Sequence, residues 1–197
     1  MSDLVSSKEN LRKTLRAARN AINHKQQTEA ALNLLRLTLK LPQFLKAKRV
    51  AVYLSSDGEM DLTPLVHQCW SMGKEVYLPA IHNSKTRELW FVRYTPETEL
   101  ITNRFKIREP DPRKNPKLPT HLLDIVFMPL VGFDEKCNRL GMGGGFYDTT
   151  FSFKKGKPKS KPLLIGVAHE CQCVEKIDAE EWDVGLDMVV TDKDTYL

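Results

Sequence analysis

A glycine-rich segment carries the residue types best suited to holding a phosphate group. It spans residues 134–148, and four of the five positions 141–145 are glycine. Without Cβ atoms the backbone can approach a ligand closely, and successive N–H groups can form an anion-binding nest. Arg139 and Asp148 flank the glycines. No Walker lysine follows, and Phe146 replaces the last glycine of G-x-G-x-x-G. The segment is therefore either a phosphate loop of another kind or a simple turn.

A group of cations near the N-terminus is the second candidate phosphate contact. Residues 6–22 predict an amphipathic helix, because apolar side chains recur at helical spacing and Ser6 with Glu9 fits a capping box. Four cations occupy the sector next to the apolar face, and we name them the basic stripe: Lys8, Arg12, Arg16 and Arg19. Like charges on one side of a helix repel each other unless an anion compensates. The stripe is therefore either a phosphate contact or a solvated surface.

Other reactive residue types give weaker signals. The four cysteines, at 69, 137, 171 and 173, match no zinc or redox spacing, so we expect free thiols. His169 follows a predicted strand, and a single histidine in that position is more often structural than catalytic. Neither group predicts a site.

Five lysines within residues 154–161, the lysine tract, account for most of the net charge of +5. They are Lys154, Lys155, Lys157, Lys159 and Lys161. The tract has no interleaved aromatic residues and no RNA-binding motif, so nucleic acid is not a predicted partner. We expect a solvated loop, and the alternative is a contact for a polyanionic substrate tail.

Composition favours an ordinary globular protein, with 41% hydrophobic and 28% charged residues. Charges interrupt every apolar run, so no membrane span is predicted. Residues 1–10 lack the apolar region of a signal peptide. We therefore expect a cytoplasmic protein without a membrane partner.

The elements that must position these residues form an alternating pattern. A strand at 49–54, a helix at about 61–72 with Asp61 as N-cap, and a strand at 75–81 make a βαβ unit and hence a parallel sheet. A second helix is expected at about 26–40.

Further strands are predicted at 88–94, 124–131, 163–168 and 188–191. Residues 109–119 hold four prolines and are expected to be an irregular connection. The sequence thus predicts an α/β fold with a mostly parallel sheet sandwiched by helices, as one domain over residues 1–197.

Residues 139–148 resemble the signature of the 5-formyltetrahydrofolate cyclo-ligase (5,10-methenyltetrahydrofolate synthetase) family. Three further segments fit the same family in order along the chain: Lys8-x-x-x-Arg12, residues 53–59 and residues 181–183. The resemblance implies a fold like that of ribose-phosphate isomerases and CoA transferases. It also implies ATP-dependent conversion of 5-formyltetrahydrofolate to 5,10-methenyltetrahydrofolate, with release of ADP and phosphate and with the use of Mg²⁺. Separately from the resemblance, we expect a monomer.

The resemblance also implies roles for individual residues, with Arg139 and Tyr147 catalytic. Implied for ATP are Lys8, Arg12, Arg139, Leu140, Gly141, Met142, Gly143, Gly144, Gly145, Phe146 and Tyr147. Implied for the folate are Leu54, Glu59, Phe105, Gly143, Gly144, Gly145, Phe146 and Tyr147. Implied for Mg²⁺ are Asp148 and Asp183.

Several alternatives stay open. Phe105 is either a pterin-stacking residue or a core residue, and Glu59 is either a folate ligand or a turn residue. The loop has Met142 and Gly144 where some relatives carry basic residues, so phosphate charge must be met by Arg139, the stripe, Mg²⁺ and backbone N–H groups. Two rival functions are an enzyme like a CoA transferase or sugar-phosphate isomerase, and a non-catalytic folate-binding protein.

Overall fold

The chain folds around a central sheet of eight strands. The structure is a computed structural model that describes residues 2–82, 85–157 and 160–197. In chain order its strands are β1 (Arg49–Ala51), β2 (Glu75–Ile81), β3 (Leu89–Tyr94), β4 (Leu100–Thr102), β5 (Arg108–Pro110), β6 (Lys117–Leu118), β7 (Ile125–Pro129), β8 (Gly132–Phe133), β9 (Arg139–Leu140), β10 (Leu163–Val167), β11 (Met188–Val190) and β12 (Thr195–Tyr196). Across the central sheet the order is β12-β11-β10-β7-β1-β2-β3-β6.

The centre of this sheet is parallel and its edges are antiparallel. Strands β2, β1, β7, β10 and β11 pair in parallel, whereas β3, β6 and β12 add antiparallel edges. The remaining strands form two hairpins, β4–β5 and β8–β9. The predicted mostly parallel α/β architecture is therefore confirmed, and the β2 prediction matches the observed bounds.

Five α-helices accompany the strands in the described part of the chain: α1 (Ser2–Asn20), α2 (His24–Thr38), α3 (Pro42–Lys46), α4 (Thr63–Ser71) and α5 (Phe146–Thr150). Helix α4 joins β1 to β2, so the predicted βαβ unit is confirmed. Its N-cap is Leu62, so the prediction of Asp61 as N-cap was one residue early. The Asp61 carboxylate still accepts a hydrogen bond from the backbone N–H of Thr63, at 2.9 Å.

The start of α1 differs from the prediction. The helix begins at Ser2, so the expected capping box of Ser6 and Glu9 lies inside it and cannot cap its end. The side chain of Ser6 lies outside the described residues. A capping box does occur at the next helix, where Asn23 and Gln26 exchange side-chain and backbone hydrogen bonds of 3.0 Å.

The proline-rich segment 109–119 is more ordered than expected. It contains the end of β5 and all of β6, and both Glu109 and Asp111 are buried. The φ angle of proline suits an extended edge strand that needs no donor at that position. The prediction of an irregular connection was therefore wrong in part.

Apolar side chains cover both faces of the sheet. On one face Val50 and Phe127 pack with Phe44 of α3 in a cluster that also includes buried residues of α2 and α4. On the other face Ala51 and Phe151 belong to a second cluster. Successive strand residues point to opposite faces, and both faces are covered, so the strand ends are the part of the sheet that can form a site. No helix in the described ranges has both the length and the apolar character needed to cross a membrane.

The lysine tract does not form the uniformly solvated loop that was expected. Lys154 is buried, and its Nζ donates to the carbonyls of Ser160 (2.9 Å) and Pro162 (2.6 Å) while pairing with Asp187 at 2.7 Å. Lys161 pairs with Asp124. The remaining lysines of the tract differ among themselves: Lys155 donates to the Glu181 carbonyl, Lys157 is exposed, and Lys159 lies outside the described residues.

All four cysteines are free thiols, as predicted.

Candidate functional site

One large cleft opens at the carboxyl ends of the parallel strands β1, β2 and β7. Its volume is about 1180 Å³, which exceeds the usual range for a single small ligand and suits two substrates. Its walls come from α1, the β4–β5 hairpin, residues 139–149 and the 177–183 turn. Every residue that the sequence analysis implied for ATP, folate or Mg²⁺ lines this cleft.

The glycine loop, residues 141–145, follows the β8–β9 hairpin and leads into α5. Gly143 and Gly145 have φ angles of +89° and +68°, which L side chains rarely adopt. Gly144 lies so close to Phe146 that a Cβ added at Gly144 would be 3.1 Å from the phenyl ring. Because α5 has only five residues, the anion-binding capacity of this loop depends mainly on its own N–H groups.

Helix α1 contacts the glycine loop through Arg12. The Arg12 Nε donates to the Gly141 carbonyl at 2.8 Å, and a Cβ added at Gly143 would lie 3.9 Å from Arg12 Nη2. The guanidinium is thus fixed against the inner side of the loop, where it can meet a bound anion. Lys8, one turn earlier, pairs with Glu180 of the 177–183 turn at 2.7 Å.

Arg139 has an internal partner that the sequence did not predict. Its Nη2 forms an ion pair with Asp148, and its Nε donates to the Val184 carbonyl at 3.3 Å. Asp148 also accepts from the Val184 N–H at 3.0 Å. The Arg139 side chain is only 6% exposed, so its guanidinium fixes Asp148 and closes the base of the glycine loop.

The two predicted metal ligands, Asp148 and Asp183, supply hard oxygen donors to the cleft lining. Asp148 is fixed by Arg139, and Asp183 accepts from the Glu180 N–H at 2.9 Å. Within the described residues no three His, Cys, Asp or Glu side chains are grouped so as to hold a metal ion. Mg²⁺ is commonly bound by one or two carboxylates together with substrate phosphates. The donor set fits a Mg²⁺ ion that arrives with a nucleotide.

The same cleft also presents groups suited to a heterocycle. The Glu59 carboxylate accepts from the N–H and hydroxyl of Ser56, at 3.0 and 3.3 Å, and burial raises its pKa. Burial also raises the pKa of Tyr147 and of Tyr53, whose hydroxyl donates to the Met60 carbonyl at 3.1 Å. Both phenols therefore stay protonated at neutral pH. The O–H of Tyr53 is used by Met60, so Tyr147 is the one of the two that can donate to a ligand.

Phe105 lies at the tip of the β4–β5 hairpin over this part of the cleft. It is 49% exposed, so the alternative of a core phenylalanine is wrong. Its ring packs edge-to-face on Phe146 of α5, with centroids 6.0 Å apart. The tip is anchored because Asn103 donates to buried Glu109 at 2.8 Å, and Glu109 also accepts from the Ile81 N–H.

The basic stripe is neutralised mainly by carboxylates of the protein. Arg16 and Arg19 both donate to the Asp57 carboxylate at 2.7 Å, and Arg19 is fully buried. Only Lys8, Arg12 and Arg19 of the stripe line the cleft. The simple alternative of a solvated surface is therefore wrong for Arg19. His169 is buried outside the lining, and burial lowers its pKa, which fits a structural role.

The cleft also contains cationic and aromatic residues that sequence reasoning missed. Arg87, with φ +51°, lies beside Gly145, and Arg108 and Lys155 add further charge at the rim. Trp182 is 63% exposed in the same lining. Trp182 falls inside the 181–183 motif and Lys155 inside the lysine tract, so both had a signal, whereas Arg87 and Arg108 belong to no motif.

Comparison with known proteins links this cleft to one family. A model of the 5-formyltetrahydrofolate cyclo-ligase family matches residues 5–192. The 5-formyltetrahydrofolate cyclo-ligase of Escherichia coli (strain K12) is 45% identical over 177 residues, covering 90% of this chain and 96% of the relative. That of Haemophilus influenzae is 40% identical over 182 residues, covering 92% and 96%.

Solved structures agree with these matches. The NMR structure of Aquifex aeolicus 5,10-methenyltetrahydrofolate synthetase has a TM-score of 0.81 and 30% identity, covering 96% of this chain and 91% of the other. The Mycoplasma pneumoniae 5,10-methenyltetrahydrofolate synthetase, at 22% identity and a TM-score of 0.73 over 94% and 99% of the two chains, shows the same fold.

Proposed function

The chain belongs to the 5-formyltetrahydrofolate cyclo-ligase family and is an enzyme that converts 5-formyltetrahydrofolate to 5,10-methenyltetrahydrofolate, and we propose the roles that its cleft residues play. The observation that carries the proposal is the contact of Arg12 with Gly141. This contact brings the N-terminal cations to the glycine loop, inside the same cleft that Glu59, Phe105 and Tyr147 line.

The glycine loop and α1 hold the phosphates of the co-substrate ATP. The Arg12 guanidinium lies against the glycine loop, so a phosphate bound by N–H groups of residues 141–145 can also receive charge-assisted hydrogen bonds from Arg12. Lys8 exchanges Glu180 for a phosphate when ATP binds. Such an exchange is inexpensive, because partly exposed ion pairs contribute little to stability.

The folate binds in the part of the cleft formed by Glu59, Leu54 and Phe105. The Glu59 carboxylate accepts hydrogen bonds from the pterin amine and ring N–H, Leu54 supplies an apolar contact, and Phe105 stacks on the pterin. The exposed ring of Phe105 and the inward position of Glu59 support these assignments.

The reaction is a phosphoryl transfer followed by ring closure. The formyl oxygen attacks the γ-phosphorus of ATP, the bond to the ADP oxygen breaks, and the oxygen becomes part of a good leaving group. N10 then attacks the activated carbon and loses its proton as inorganic phosphate departs. Such steps depend on positioning and on charge stabilisation. Arg139 stabilises the transferring group, and Tyr147 donates a hydrogen bond as a neutral phenol.

Asp148 and Asp183 are the residues that would hold Mg²⁺. The ion supplies charge neutralisation at the phosphates when it is bound. The fixation of Asp148 by Arg139 pre-orients one ligand, and Asp148→Asn and Asp183→Asn should each raise the Mg²⁺ concentration needed for half-maximal activity. We further propose that residues 1–197 form one catalytic domain that acts as a monomer in the cytoplasm.

The direct test mixes the protein with 5-formyltetrahydrofolate, Mg²⁺ and ATP, and follows near-ultraviolet absorbance for the methenyl product. We expect product only when ATP is present, and a strong loss of turnover in Arg139→Ala. Unfolding of this variant is measured alongside, because the substitution also leaves Asp148 without its cation. Folate binding without turnover would support a non-catalytic binding protein. Turnover that is independent of ATP would contradict the phosphoryl-transfer mechanism.

A further inference from the structure

The loop that carries Glu59 has a backbone conformation that needs external support. Asp57 has a φ angle of +50° and Gly58 a φ angle of +73°, so two consecutive residues lie in the left-handed region. A non-glycine residue persists in that region only where its surroundings hold it there. The Glu59 N–H closes the turn by donating to the Ser56 carbonyl at 2.9 Å.

Helix α1 supplies that support through three side chains. Arg16 Nε and Arg19 Nη2 each donate to Asp57 Oδ2 at 2.7 Å, and Asn20 donates to Oδ1 at 3.1 Å. Arg19 Nε also donates to the Asp57 backbone carbonyl at 2.8 Å. Both carboxylate oxygens of Asp57 are therefore engaged, and this residue has little left to offer a substrate.

The buried guanidinium of Arg19 makes this contact specific. Arg19 is fully buried, and its Nη1 donates to the Leu130 carbonyl at 3.2 Å. A buried cation is costly unless it is paired and hydrogen-bonded, so it strongly favours the Asp57 geometry that satisfies it. The turn also lies tightly on α1, because a Cβ at Gly58 would come within 2.5 Å of Asn20 Oδ1.

We propose that Asp57, clamped by Arg16 and Arg19, is a positioning residue that sets the orientation of Glu59 toward the folate. Glu59 follows two residues after Asp57, and its carboxylate is tied to Ser56 of the same turn. Movement of the turn therefore moves the carboxylate. The proposal rests on the assignment of Glu59 to folate binding.

A second consequence concerns selectivity between the two substrates. Arg12 contacts the glycine loop, whereas Arg16 and Arg19 contact the Asp57 turn. At a rise of 1.5 Å per residue, Arg16 and Arg19 lie about 6 to 10 Å farther along α1 than Arg12 does. Loss of the Asp57 contact should therefore weaken the apparent affinity for the folate and leave that for ATP unchanged.

The test compares Asp57→Asn with Glu59→Gln and with the double variant. Asparagine tolerates the left-handed region, so Asp57→Asn removes the charge but keeps the turn accessible. We expect a folate KM raised about tenfold, an ATP KM within twofold of wild type, and no additional rise in folate KM when Asp57→Asn is added to Glu59→Gln. Arg16→Ala should raise the folate KM in the same direction, with partial rescue by Arg16→Lys.

The outcomes separate the assignment of Glu59 to folate binding from the positioning role of Asp57. If Glu59→Gln leaves the folate KM unchanged, the folate assignment itself fails. If Glu59→Gln raises it but Asp57→Asn and Arg16→Ala do not, the positioning role is overturned while the assignment stands. Equal effects of Asp57→Asn in both backgrounds also overturn it. Arg36→Ala, an exposed α2 residue outside the cleft lining, is the matched control and should leave both KM values unchanged. If Asp57→Asn does not fold, the Arg16 variants decide through the same cycle.

Discussion

The basic stripe of α1 and the lysine tract are both rich in cations, and their cations have different kinds of partner. The stripe runs along the cleft, where Arg12 and Lys8 can reach a ligand while Arg16 and Arg19 secure a loop. The tract instead turns one lysine inward, where Lys154 joins three chain segments beneath the surface.

The difference lies in how each cation is compensated. A guanidinium offers five donors in a planar fork, so Arg19 can bind a carboxylate and two carbonyls at once. The ammonium of Lys154 has three donors, and all three are used by Ser160, Pro162 and Asp187. A high density of positive charge in a sequence therefore does not identify an anion site until the partners of each cation are known.

The largest effect that we expect from this comparison is on stability. Lys154→Ala should lower the free energy of unfolding by about 3–5 kcal/mol, because it leaves the Asp187 carboxylate without its buried cation. Urea denaturation measures the change, with exposed Lys157→Ala as the control, expected within about 0.5 kcal/mol. Equal effects of the two substitutions would remove the distinction drawn within the tract.

The next effect concerns ATP binding. Arg12→Ala should cost about 1.5–3 kcal/mol of ATP binding, roughly tenfold or more in affinity, because a charge-assisted contact to phosphate is lost. Arg16→Ala should leave ATP binding nearly unchanged, because its partner is Asp57. Isothermal titration calorimetry on both variants tests the contrast. A comparable loss at both positions would show that the whole stripe faces the nucleotide.

A smaller effect should appear in acid. Hydrogen bonding from Arg16 lowers the pKa of Asp57 to about 2, whereas an unfolded aspartate titrates near pH 3.9. The stabilisation from this pair is therefore present above about pH 4 and is lost as the pH falls toward 2. We expect about 1 kcal/mol, reduced by solvent screening of a one-third exposed carboxylate.

Denaturation of wild type and Asp57→Asn at a series of pH values checks this expectation. The difference in unfolding free energy should be largest near neutral pH and should shrink below pH 4. A difference that is constant from pH 6 to pH 2.5 would show that the ionised carboxylate is not what Arg16 and Arg19 recognise.

The smallest effect is expected at the exposed end of the tract. Lys161 pairs with Asp124 but its side chain is 70% exposed, so Lys161→Ala should change stability by about 0–1 kcal/mol. Asp124→Ala should cost more, because that carboxylate also accepts the N–H groups of Lys48 and Arg49, each at 2.9 Å. Thermal melting of both variants provides the comparison, and the reverse order would contradict it.

Local sequence patterns predicted the fold well where the structural element is formed by residues that are close to each other in the sequence. The β1–α4–β2 unit could be predicted because its pattern involves residues that are close in sequence. In the glycine segment, the residue type itself indicates positive φ angles. The family resemblance added Phe105 and Glu59, whose position on the cleft no spacing argument could supply.

Residues that depend on distant partners could not be predicted. Arg19 meets a carboxylate 38 positions away, and Lys154 meets one 33 positions away. Neither pairing leaves a periodic trace, because it depends on how turns pack on helices after the sheet has formed. Arg87 is a similar case. It is exposed, lies between β2 and β3, has a left-handed backbone conformation and lines the cleft.

The contacts of α1 also constrain how the molecule is made. Lys8 meets Glu180 across 172 positions and Arg12 meets Gly141 across 129. Synthesis proceeds from the N-terminus, so α1 leaves the ribosome before its partners Gly141 and Glu180 have been synthesised. A nascent chain stopped at residue 160 would contain the glycine loop but neither Glu180 nor Asp183. The complete cleft lining, which extends to Asp183, can therefore form only when almost all of the matched region has been translated.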